Sequence, residues 1–122
     1  MFLIGEANFA RGVQSYMDRF RWSNATILDL LEDLRPYFPS EVSVDDWKTT
    51  WLESPSLNVI GSIWSTADTS ASATLTIKQI PFASEFSTVR WHKFEVAFFN
   101  ANAEVTEIKT VMLPPSEGLL EV

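Results

Sequence analysis

The sequence predicts an α+β chain, with helices first and an antiparallel β-sandwich-like domain after them. Three observations lead there. Apolar residues recur at helical spacing as far as Trp51. Pro55 then stops the helical pattern, because its ring cannot continue a helix and it pushes Ser54 toward an extended conformation. From Leu57 onward, β-branched and aromatic residues alternate with polar ones. The expected division is a helical segment at 1–55 and a β-sandwich domain at 56–122.

Residues 6–20 read as an amphipathic helix. Phe9, Val13, Tyr16, Met17 and Phe20 fall on one stripe. Gly12 lies inside it at a cost of about 1 kcal/mol relative to Ala, and close approach of another backbone is the usual reason for such a glycine. Met1–Ile4 carry no start signal and read as the end of a helix that begins earlier. Thr26 and Asp29 form a capping-box variant for a second helix running to about Arg35. Its buried stripe is Ile27, Leu30, Leu31 and Leu34, widened by Leu28, and Asp29, Glu32 and Asp33 face out. Pro36 and Pro39 end this segment. Ser43 and Asp46 repeat the capping spacing for a third helix that buries Val44, Trp47, Trp51 and Leu52. Trp47 and Trp51, four apart, are expected on one face.

Residues 57–65 read as the first strand and the small polar run 66–73 as an exposed loop. A second strand spans 74–80, followed by a turn at 81–87. The strongest strand signal is 88–99, where a change of parity between Val89/Trp91 and Phe94/Val96/Phe98 points to a bulge near His92–Lys93. Asn100-Ala101-Asn102 reads as a turn, 104–113 as the fourth strand and 115–122 as a tail. Four strands at this spacing make a meander or a sandwich.

Composition narrows function more by exclusion than by pointing. The chain has 122 residues, of which 46% are hydrophobic and 20% charged, so it can build a core. Five Trp and nine Phe supply large apolar surfaces. A net charge of -7 without clustered Lys or Arg argues against nucleic acid as a partner. No apolar run approaches the roughly 20 residues of a membrane helix. The absence of cysteine removes disulfide and thiolate chemistry and fits a reducing compartment such as the cytoplasm.

His92 is the single histidine. A catalytic zinc needs about three protein ligands, and no H-E-x-x-H spacing is present. The serines lack a G-x-S-x-G elbow. Asp45-Asp46 and Glu32-Asp33 are adjacent carboxylates that point in different directions on a helix, so they read as capping and surface groups. Four scattered glycines cannot cradle a phosphate. Asn24-Ala25-Thr26 fits a glycosylation pattern, but Thr26 already has a capping role. Trp64, Trp91, Phe94 and Phe98 read as core. Phe98-Phe99 puts an aromatic on each side of the sheet, which implies a sheet covered twice or an exposed contact patch. No catalytic or metal-ligating residue is assigned.

The order of motifs carries a resemblance. Ile4-Gly5-Glu6-x-x-Phe9-x-x-Gly12-x-x-x-Tyr16, then Asn24-Ala25-Thr26-x-x-Asp29-Leu30, then Trp47-x-x-x-Trp51-Leu52-x-x-x-x-Leu57 resembles zinc aminopeptidases of the aminopeptidase N family (gluzincin metallopeptidases). Arg90-Trp91-His92-Lys93-Phe94 resembles a strand of the family's sandwich domain, with Trp91 where proline is common. The resemblance implies the last helices of a thermolysin-like catalytic domain leading into a β-sandwich. It also implies a zinc-dependent parent enzyme that removes N-terminal residues from peptides. The family's G-x-M-E-N, H-E-x-x-H, distal zinc glutamate and catalytic tyrosine have no counterpart here. Tyr16 matches a helix-face position, and Ser56 stands where glycine is frequent. The expectation is a non-catalytic fragment whose partner is the remainder of the parent peptidase, with zinc and peptide substrate confined to that parent. The alternatives are a self-contained module that binds protein through its β-sheet, and a small hydrolase using His92.

Overall fold

In the computed structural model, which describes residues 2–66, 73–116 and 120–121, helices occupy the first part of the chain and two antiparallel sheets the second. The chain is therefore α+β. It divides into two compact units, Met1–Lys48 and Thr49–Val122. Residues 49–55, which the sequence assigns to the end of the helical segment, belong to the second unit.

The first unit is built on α1 (Glu6–Arg19), α2 (Ile27–Leu34) and α3 (Val44–Lys48), with a 3-10 turn at Arg35–Tyr37. Gly5, at φ 84, precedes α1, and residues 2–4 form a turn there rather than the end of an earlier helix. Gly12 is the buried residue of α1. A Cβ on it would overlap Leu34 Cδ2 and sit 3.3 Å from Asp33 O, so the glycine does mark a close approach of α2. The capping box at Thr26 forms as expected. Thr26 N donates to Asp29 Oδ2 at 2.8 Å, and Asp29 N donates back to Thr26 Oγ1 at 3.4 Å. Leu31, Leu34, Val42 and Val44 are the buried apolar residues here. Phe38 and Trp47 meet edge to face at 5.6 Å.

Several expected burials fail in this part of the chain. Ile27 and Leu28, in the first turn of α2, are exposed, as are Trp51 and Leu52. Asp33, expected on the solvated face, is instead covered: its side chain is 7% exposed and ion-paired to Arg19 at 2.7 Å. Asp33 Oδ1 also accepts from Ser15 Oγ at 3.0 Å, while Oδ2 is buried without a hydrogen-bond partner among the described residues. Trp47 and Trp51 do not form one face. After Lys48 the backbone widens into a π-helical turn, Thr49–Glu53, which breaks the four-residue spacing. Trp47 packs on Phe38 in the first unit, and Trp51 on His92 in the second.

The second unit contains β1 (Asn58–Thr66), β2 (Ala73–Pro81), β3 (His92–Phe99), β4 (Val105–Leu113) and β5 (Leu120–Glu121). One sheet has the order β1-β2-β5 and the other pairs β3 with β4. Ile77, Val111 and Leu113 form the buried centre, with Leu75, Phe94, Val96 and Leu120 packed against it, so the sheets face each other as a small sandwich. The segment expected to be a tail thus contains β5: Leu120 pairs with Ile77 and joins the core. The expected loop at 66–73 lies largely outside the described residues. The bulge expected near His92–Lys93 is absent, since both residues pair regularly with Leu113 and Met112; the irregularity falls at Phe98/Phe99. The reversal after β3 is held by Asn100, whose Oδ1 accepts from Asn102 N at 2.9 Å and Glu104 N at 3.0 Å.

β1 is an edge strand. It contains no charged residue and no proline, and Val59, Ile60, Ile63 and Trp64 are all exposed, so apolar side chains stand open on both of its faces.

Candidate functional site

The strand expected from Thr88 begins only at His92, and the reason lies in Gln79. Leu75, Ile77 and Gln79 share a parity on β2, and Gln79 therefore turns inward, where it is fully buried. Its carboxamide takes the place of a neighbouring strand. Gln79 Nε2 donates to Arg90 O at 2.7 Å and also to Pro114 O, and Gln79 Oε1 accepts from Arg90 N at 3.0 Å. The backbone of Arg90 is satisfied without a ladder partner.

With its backbone held there, Arg90 is 3% exposed and uses all five of its side-chain N–H donors. Nε donates to Thr50 O at 2.6 Å, Nη2 to Ser54 O and Pro55 O at 3.1 Å each, and Nη1 to Asn58 Oδ1 at 3.2 Å and Thr88 O at 3.5 Å. Every acceptor is neutral. The end of a helical turn leaves carbonyls without intrahelical partners, and Arg90 collects those at 50, 54 and 55. Trp51 lies beside both neighbours: its ring is 5.6 Å from Arg90 Cζ and 5.3 Å from the His92 ring.

His92 is half-buried, and its Nε2 is 3.3 Å from Asn58 Oδ1. Asn58 Nδ2 donates to Thr88 O at 2.8 Å, which fixes the amide orientation and makes Oδ1 the acceptor. Nε2 therefore carries the imidazole hydrogen. Burial first, and the Arg90 charge second, push the imidazole below its usual range. These neighbours do not fit zinc, because the ring faces a guanidinium, an amide and an indole. Among the described residues, no three His, Asp, Glu or Cys side chains gather as a metal site. The ring nitrogen facing Asn58 meets an amide oxygen, not a hydroxyl that it could activate as a nucleophile.

The carboxylates noted from sequence have structural partners. Arg35 bridges Glu32 at 2.8 Å and Asp45 at 3.3 Å, and both contacts, Glu32 first, raise the guanidinium further above its ordinary range. Of the aromatic residues expected in the core, Phe94 packs there, while Trp64 is exposed and meets Phe98 at 6.5 Å. Phe99 is 61% exposed. A shallow groove of about 490 Å³ lies between Tyr16, Met17, Phe20 and Trp22 at the end of α1. Trp22 there is 98% exposed at φ 64.

Arg90 belongs to a motif that carries the sequence resemblance, whereas Gln79 belongs to none. The one signal for Gln79 in the sequence is its polar side chain at an inward position of an otherwise apolar strand face.

No protein-family model matches this chain, and no curated protein matches it.

Proposed function

We propose that the chain is a non-catalytic part of a zinc-dependent aminopeptidase that removes N-terminal residues from peptides. It would span the end of the catalytic domain and the β-sandwich domain that follows, and its role is to buttress the catalytic domain. The observation carrying this reading is the state of α1. None of Phe9, Val13, Tyr16, Met17 and Phe20 is buried, and Trp22, Ile27 and Leu28 in the same unit are exposed. Phe9, Val13, Tyr16 and Phe20 are half-covered and Met17 is exposed, and an apolar stripe covered only in part fits a helix that packs on a further neighbour. The order of helical unit then sandwich supports the same reading, as does the motif succession in the sequence. The zinc and the peptide substrate belong to the remainder of that parent, since the surroundings of His92 do not suit a cation.

A second reading is favoured by the open strand β1 and by Phe99: a self-contained module that binds protein through its sheet. The coding DNA on the 5′ side of Met1 separates the two. An upstream frame containing H-E-x-x-H supports the aminopeptidase part, and a stop codon directly ahead of Met1 overturns it. Zinc binding and peptide cleavage by the purified 122-residue chain would also overturn it.

A further inference from the structure

We propose that residues 49–55 are fastened to the sandwich by an acid-labile clamp, in which Arg90 grips the backbone and His92 releases it on protonation. The grip is the set of contacts from one guanidinium to the carbonyls of Thr50, Ser54 and Pro55. Ser54 Oγ closes the same segment on itself by donating to Thr49 O at 2.8 Å. Arg90 is in turn fixed by Gln79 and by Asn58 Oδ1.

The release rests on a shared acceptor. Arg90 Nη1 and His92 Nε2 both donate to Asn58 Oδ1, so the two side chains stand on one oxygen. A proton added at Nδ1 turns this into two cations on a single neutral acceptor. The elements packed around the imidazole offer little compensation. β1 brings Asn58 and no charged residue, and β4 brings Leu113 opposite His92. The π-helical turn brings Trp51 against the ring, and no carboxylate is among the groups that shift the imidazole. Lys93, next on β3, points to the other face of its sheet. Burial and Arg90 already hold the imidazole below 6.5, so the neutral form is the one that fits the closed clamp. Protonation then works against the contacts that hold Trp51 and the carbonyls behind it.

The test is amide hydrogen exchange on the full chain at about pH 7.5 and about pH 5, on either side of the ordinary imidazole range. Rates are corrected for intrinsic exchange, with residues 105–113 as an internal reference. In the wild type, protection at 49–55 should fall several-fold at the acid pH relative to the reference. His92→Gln should abolish this difference between the two pH values, and Arg90→Lys should lower protection already at the higher pH. Equal wild-type protection at both pH values, the same acid loss in His92→Gln, or unchanged protection in Arg90→Lys would overturn the clamp. Because the chain has one histidine, its Cε1–H resonance gives a second readout in the unaltered protein. Titration below 6.5 supports the proposal, and titration at or above it overturns the proposal.

Discussion

Gln79 and Arg90 hold each other from both sides: the Gln79 carboxamide accepts from Arg90 N at 3.0 Å and donates to Arg90 O at 2.7 Å. A side chain thus completes a main-chain pairing that the sheet leaves unfinished. Gln79→Leu keeps the volume but strands Arg90 N and Arg90 O in the interior, whereas Pro114 O still accepts from Ser116 N at 2.8 Å. At about 1 kcal/mol or more for each of these two stranded groups, a loss of at least ~2 kcal/mol is expected. Chemical denaturation, with an unchanged slope against denaturant, checks it.

Gly12 opposes two effects that can be weighed. Alanine gains about 1 kcal/mol in helix propensity. Its methyl would overlap Leu34 Cδ2 and press on the Asp33 carbonyl, and overpacking of this kind costs about 1–3 kcal/mol. The packing cost outweighs the propensity gain, so Gly12→Ala should destabilise the helical unit by roughly 1 kcal/mol net. Helical circular dichroism on heating should show the earlier loss.

Ser56 sits at φ 77, in the left-handed region that penalises any residue with a Cβ. Ser56→Gly should relieve the strain while adding unfolded-state freedom, for a net gain of about 0.5–1 kcal/mol. A lower melting temperature in this variant would contradict that account.

The α2 cap should be sensitive to acid. Hydrogen bonds from the Thr26 hydroxyl, then from its backbone N–H, hold the Asp29 carboxyl below its ordinary 3.8. A lowered carboxyl stabilises the folded chain above 3.8, and that contribution disappears as pH falls through the folded-state value. Asp29→Asn should therefore be less stable than wild type near neutrality and converge with it in strong acid. Unfolding curves at about pH 7 and about pH 2 measure both ends.

Much of the fold was legible because local chemistry decided it. Thr26 with Asp29 marks the start of α2, Pro55 closes the helical pattern, and the alternation through Thr74–Ile80 gives β2. The misreadings have long-range causes. The late start of β3 depends on Gln79, eleven positions before Arg90. β5 is recognisable only once Leu120 is beside Ile77. Asp33 looks like a surface carboxylate until α1 brings Ser15 and Arg19 onto it. His92 stands out in the sequence as the single imidazole, but its coupling to Arg90 through Asn58 requires separate segments of the chain to meet.

The neutral, proline-free strand Asn58–Thr66 also governs how this polypeptide handles in the tube. Natural sheets discourage edge-to-edge polymerisation with lysine, proline or a twist at the margin, and this margin has neither of the first two. Purified alone, the chain should precipitate or form fibres as its concentration rises, despite its large negative charge. Ser62→Lys, on an exposed position of that margin, should raise the attainable concentration.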